Sequence, residues 1–169
     1  MAYCRQGHNG HDVTKQIPAT LETVSQPRLR RMLDYWHGLR RNGALPARAD
    51  IDPMDFPWLL GNVSLVEVHD GADAARRYRI RLVGINTTTY FGYEAGGRWL
   101  DELPEPDYVE HITVMFDEVV RLARPMVERP DMMIDGRIYN YEVLRLPLAS
   151  DGVTPDMLLL AADFFDSDD

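Results

Sequence analysis

MVERPDMMIDGRIYNYEVLRLPLASDGVTPDMLLLAADF, residues 126–164, is the stretch that decides the fold. It divides at Asp135-Gly136 and at Asp151-Gly152, dipeptides that favour tight turns. Around them lie three segments rich in aliphatic and aromatic residues: Met126 to Ile134, Ile138 to Leu148 and Met157 to Phe164. Short apolar runs closed by turn residues predict three strands in a meander.

Upstream of this meander the period changes. Tyr108, Ile112, Met115, Phe116, Val119 and Leu122 recur at helical spacing behind Asp107-x-x-Glu110, which has the form of a capping box with Asp107 as cap. Arg121 and Arg124 suit the negative end of that helix, and Pro125 stops it. From Asn86 to Asp101, Gly92, Gly96 and Gly97 interrupt Tyr90, Phe91, Tyr93 and Trp99, which predicts short helical turns. Tyr78-Arg79-Ile80-Arg81-Leu82 alternates as a half-buried strand, and Val63 to Val68 reads as another before the turn at Asp70-Gly71. Arg79 and Arg81 then face solvent or pair with sheet neighbours.

Residues 44–57 hold Pro46, Pro53 and Pro57 and predict an irregular connection. Before them, Leu29, Met32, Leu33, Trp36 and Leu39 mark an amphipathic helix over 25–43, with Ser25 as cap, Pro27 in the first turn and Asn42-Gly43 at the end. Residues 1–24 lack periodicity and are expected to form a flexible arm, leaving 25–169 as one domain. The order helix, two strands, helical middle, three strands implies an α+β fold: one antiparallel sheet with helices on one face, preceded by the amphipathic helix.

Composition is consistent with this reading. The chain has 169 residues, 45% hydrophobic and 27% charged, as expected for a globular domain with its own core. Its net charge of −9 is unevenly spread: residues 1–50 carry eight basic against four acidic residues, and 51–169 carry ten against twenty-three. An acidic body argues against nucleic acid as a partner. The longest apolar run, Met157 to Ala162, is too short to cross a membrane. The polar first sixteen residues hold no signal sequence. Cys4 is the single cysteine, which excludes an internal disulfide and fits a cytoplasmic location.

The element order, together with Leu45-Pro46-Ala47-Arg48, Asp52-Pro53, Arg81-Leu82-Val83-Gly84, Gly97-Arg98-Trp99-Leu100 and Tyr141 to Leu148, resembles a PAS domain from about Leu29 to Phe165. More narrowly, it is similar to a stand-alone bacterial PAS family common in alphaproteobacteria. The resemblance implies a five-stranded sheet cupping a small cavity, and a sensory or regulatory role in signal transduction. It leaves no room in this chain for an output domain, so a separate signalling protein would carry the output. Flavin-binding PAS domains that sense light use a cysteine just after a Gly-Arg-Asn stretch. The comparable position here is Leu100, which rules against flavin-cysteinyl photochemistry.

Within that resemblance, Tyr90, Trp99, His111, Met115, Tyr139 and Tyr141 are the candidate residues for a small, largely apolar ligand, because Tyr and His combine apolar bodies with orienting polar tips. The competing reading is that they fill the core. His111 could alternatively act as a general base with a tuned partner or as an axial haem ligand, but no catalytic motif accompanies it and no second haem signature is visible. Cys4, His8 and His11 offer only three of the four ligands a structural zinc needs. Asp101, Glu102, Glu105, Asp107 and Glu110 read as a solvated helix-starting loop. The stripe of Leu29, Met32, Leu33 and Trp36 is expected to form a homodimer contact or to pack on its own sheet. The expected function is that of a ligand- or partner-binding regulatory domain; an interaction-only adaptor is the alternative, and cofactor identity stays open.

Overall fold

A computed structural model describes residues 2–4, 16–71, 75–134 and 137–165, with side chains over 16–71, 76–130 and 140–165. The strands are β1 (Ala2–Cys4), β2 (Ile17–Pro18), β3 (Val63–Val68), β4 (Tyr78–Leu82), β5 (Met126–Glu128), β6 (Asp131–Ile134), β7 (Arg137–Leu148) and β8 (Met157–Phe165). The α-helices are α1 (Pro27–Leu39), α2 (Ile85–Phe91) and α3 (Pro106–Leu122). All pairings are antiparallel, in the order β1-β6-β7-β8-β3-β4, with β5 also on β7 and β2 on β5. This is the expected α+β architecture of an antiparallel sheet with helices, with eight strands paired among the described residues where the resemblance implies five.

The stretch read as one strand from Met126 to Ile134 divides into β5 and β6, which pair with different parts of β7. Pro130 between them has no N–H to give to a ladder, so the pairing is interrupted there. The long β7–β8 hairpin runs in unbroken register from Asn140 opposite Phe165 to Leu148 opposite Met157.

Alternation along the central strands sends apolar side chains to both faces. Leu144, Leu146 and Leu148 of β7, Leu159 and Ala161 of β8, and Val63 and Leu65 of β3 join Leu29, Met32, Leu33 and Trp36 of α1 in one core. Val66, Tyr78, Ile80 and Leu158 join Leu100, Ile112, Phe116 and Val119 in a second core on the other face. The sheet is therefore a middle layer, with α1 on one side and α2 and α3 on the other.

Four local expectations are corrected. Leu29, Met32, Leu33 and Trp36 are each 0% exposed within a single chain, so they belong to its core and offer no face to a second copy. Trp36 also donates Nε1–H to the Pro147 carbonyl at 3.0 Å. Ser25 does not cap α1: its N–H and hydroxyl, and the N–H of Gln26, all donate to the buried Glu142 carboxylate on β7. Residues 16–24, expected in a mobile arm, are packed, with Gln16, Ala19 and Val24 buried. Similarly, α3 begins at Pro106, so Asp107 lies in the first turn and is not the cap. Basic helix meets acidic body at Arg28, which pairs with Asp163 at 2.8 Å and donates to the Trp58 carbonyl. Arg31 lies over the Trp58 ring at 3.3 Å.

Gly84 closes the Arg81-Leu82-Val83-Gly84 stretch for a steric reason. A Cβ there would stand 2.4 Å from the Gly61 carbonyl oxygen and 2.9 Å from that of Val63. The start of α2 can approach β3 this closely only without a side chain. Gly84→Ala is expected to lower stability by about 1–3 kcal/mol in urea unfolding.

Trp36→Ala should cost ~3–5 kcal/mol, because it empties a fully enclosed site. The loss should be independent of protein concentration. A concentration-dependent loss would instead place Trp36 between subunits.

Candidate functional site

The layer of α2 and α3 leaves a cavity of about 80 Å³ over the sheet. Ser64 and Val66 of β3, Ile80 of β4 and Leu160 of β8 form its floor. Thr87, Thr88 and Phe91 of α2, Ile112 and Phe116 of α3, and Tyr93, Ala95, Leu100, Leu103 and Tyr108 close it above and at the sides. An adjoining lobe of about 60 Å³ shares Ser64, Thr87, Phe91, Tyr108, Ile112, Phe116 and Leu160, and adds Tyr141, Val143 and Arg145 of β7 among its walls. Floor residues come from alternate positions of each strand, which is why residues distant in sequence converge.

The walls are mostly apolar, with a few polar groups. Burial pushes the Tyr93 phenol up to about 12, reinforced by the charge of Glu105, so it keeps its proton as a donor. Thr87 Oγ1 and Arg145 Nε are buried and have no hydrogen-bond partner among the described residues. Native interiors rarely leave such groups unpaired.

Beside this cavity runs a buried ionic network. Glu128 of β5 has a side chain 0% exposed; its Oε1 lies 2.6 Å from His111 Nε2 and its Oε2 accepts from Arg145 Nη2 at 2.6 Å. Arg145 Nη1 donates to Gln16 Oε1 at 3.3 Å, and Gln16 Nε2 donates to the Met115 carbonyl and to Glu118, both at 2.8 Å. Burial alone would raise the Glu128 pKa, but Arg145 and then His111 outweigh it and hold the carboxyl at about 2. The network ties β5, β7, α3 and the residue before β2 at one point.

Sequence-predicted site residues are only partly brought together. Tyr141 lines the smaller lobe, and its ring and that of Tyr90 both stack on Phe164, at 5.3 and 3.8 Å between centroids. Tyr90 faces an outer groove with Arg28, Asn86 and Asp163 and does not line the cavity. Trp99 sits at the β4 edge, bridged to Arg79 and 5.0 Å from the His69 ring, away from the cavity. His111 and Met115 lie on α3 but line neither lobe. The Tyr139 side chain, His8, His11 and the Cys4 side chain lie outside the described residues, as do Asp135-Gly136 and the tail Asp166–Asp169.

His111 has the carboxylate partner a general base needs, yet no lobe reaches it, and the Nε2 an iron would take is already held by Glu128. Among the described residues no group of three or more His, Cys, Asp or Glu side chains could hold a metal ion. Asp101 of the acidic loop pairs with Arg76, and Glu102 accepts from the Trp99 N–H. Arg81 pairs with Glu67 at 3.3 Å at the sheet surface.

The residues missed include Thr87, Phe91, Tyr93, Ile112 and Phe116 of the cavity wall and Glu128 and Arg145 beside it. Glu128 and Arg145 carried a usable signal: opposite charges inside two apolar segments, at positions whose neighbours are buried.

An antiparallel sheet with a long helix and short helical turns closing a small cavity on one face defines a PAS-type sensory architecture. A family model described as a PAS domain matches residues 24–161, and the chain belongs to that family. No curated protein and no solved structure gives a significant match.

Removing the carboxylate should expose the asymmetry of the network. Glu128→Gln leaves Arg145 buried without its counter-charge and should cost ~3–5 kcal/mol near neutral pH. The folded pKa of Glu128 lies below its unfolded value, so its contribution is complete above about pH 5 and is lost as pH falls toward 2. In urea unfolding between pH 7 and pH 2.5, the gap between the unaltered chain and the variant should therefore narrow with acid. A constant gap would show that the charge of Glu128 does not stabilise the fold.

Proposed function

We propose that the chain is a bacterial, cytoplasmic regulatory domain that binds a small ligand in the cavity beneath α2 and α3. The change is passed to a separate signalling protein that carries the output activity. PAS domains are in general sensory or regulatory, and no described helix is long and apolar enough to cross a membrane. The observation that carries the ligand reading is the partly open, mainly apolar cavity whose lining residues include polar groups with no partner among the described residues. Thr87, Phe91, Tyr93, Ile112, Phe116 and Tyr141 are the ligand contacts in this reading, in place of Trp99, His111 and Met115. No residue is assigned a catalytic role.

A ligand acts as a signal only by binding one conformation more tightly than another. The wall best suited to respond is α2, a seven-residue helix bounded by Gly84 and Gly92. It contributes Thr87, Thr88 and Phe91 to the cavity while most of its outer face stays exposed, so a ligand that displaces it alters the surface a partner meets.

The cavity's small volume favours one alternative, an adaptor that recognises proteins and takes no ligand. Native mass spectrometry of the full chain purified under mild conditions separates the two. A satellite mass from a bound small molecule is expected, and Ala95→Leu, which grows into the cavity, should abolish it while the chain stays folded. A clean unliganded mass from native-host material would leave the adaptor.

A further inference from the structure

Two buried donors say more about the ligand than the shape of its cavity does. Thr87 Oγ1 belongs to a residue lining both lobes and Arg145 Nε to a residue lining the smaller one. Both atoms are inaccessible to solvent and without a hydrogen-bond partner among the described residues. The Arg145 residue is 1% exposed and Thr87 is 9% exposed. A buried donor left unpaired is costly, and an acceptor supplied from within the cavity removes that cost. Val143, Ile112, Phe116 and Leu160 around them offer apolar contact, and Ser64, Asn62, Tyr108 and Tyr141 add a few polar groups to the same wall.

The sign of the acceptor follows from the charges already present. The Arg145 guanidinium is opposed at 2.6 Å by Glu128, so the site holds no unbalanced positive charge to attract an anion. A ligand carboxylate would bring a second buried negative charge close to Glu128, where the Arg145 guanidinium and the His111 imidazole are already engaged by the first. A neutral oxygen meets both donors without that penalty.

We propose that this cavity takes a neutral, largely apolar molecule bearing one carbonyl or hydroxyl oxygen, which accepts from the Thr87 hydroxyl and from Arg145 Nε–H. The inference rests on the ligand-binding reading above and names the chemistry that reading left open.

Three probes of similar size test it on the full chain: cyclopentanone, methylenecyclopentane, which lacks the acceptor, and cyclopentanecarboxylate. Binding is read from the methyl resonances of Ile112, Val143 and Leu160. Cyclopentanone is expected to bind most tightly, although the hydrocarbon leaves water more readily. Thr87→Val, which keeps the shape and removes the hydroxyl, should weaken cyclopentanone by about three- to tenfold and leave methylenecyclopentane unchanged. Thr87→Ser should retain the tighter binding, which separates loss of the hydroxyl from disturbance of α2.

Hydrocarbon binding equal to or tighter than the ketone, and indifferent to Thr87, would overturn the proposal while leaving a ligand cavity in place. Preference for the carboxylate would overturn the neutral class. No methyl shift with any probe would remove the ligand reading itself.

Discussion

A sheet that is apolar on both faces must be covered on both faces, and the rest of this structure depends on that constraint. Period-2 alternation in β3, β7 and β8 sends Leu144, Leu146, Leu148, Leu159 and Leu65 one way, and Val66, Val143, Leu158 and Leu160 the other. One layer of helices cannot satisfy both sets. The amphipathic α1 is therefore part of the fold's minimum equipment, and its docking is dominated by apolar burial. Arg28–Asp163 adds an ion pair at the margin, between a partly exposed guanidinium and a buried carboxylate.

On the far face the covering is less uniform, and the exceptions are informative. Glu128 and Arg145 put opposite charges at sites where a plain core would have aliphatic residues. Such a pair is weak evidence for stability, since two well-packed apolar side chains could serve as well, but losing either partner alone is severe. Its structural consequence is registration. Glu128 stands opposite Val143 and Arg145 opposite Met126, so their pairing fixes β5 on β7, while His111 and Gln16 extend the same point to α3 and to the segment entering β2.

What could be read from residues alone follows the distinction between a face and its partner. The stripe on α1 was legible because helical spacing defines a face, but spacing does not say whether that face meets its own sheet or another chain. The strand order was legible from turn dipeptides, and the break between β5 and β6 had a visible cause in Pro130. The cavity was less legible, because its floor and roof combine single residues from β3, β4, β7, β8, α2 and α3, and their convergence depends on register and crossing geometry. Aromatic content pointed to Tyr90 and Trp99, which lie outside the space, while Thr87 and Ala95 gave no compositional signal. His111 was singled out for its imidazole, yet what determines its surroundings is the carboxylate of Glu128, distant in sequence and apparent only once β5 is placed under α3.

Stability alone does not account for the composition of that inner face. Filling the space between Phe91, Ile112 and Phe116 with a larger side chain at Ala95 or Ser64 would improve packing, since voids forfeit dispersion contacts, and Val at position 87 would remove an unpaired hydroxyl. Both changes are small, and both run against what the chain contains. The void and the unpaired donors also coincide, with Thr87 lining both lobes and Arg145 lining the lobe beside the ionic network. Arg145 is held by Glu128 and Gln16 through its terminal nitrogens, which leaves Nε as the guanidinium nitrogen without a partner among the described residues. A rigidly held donor and a hydroxyl on residues that line one mainly apolar lobe are costly as core and suited to recognition, because little reorganisation is needed when an acceptor enters.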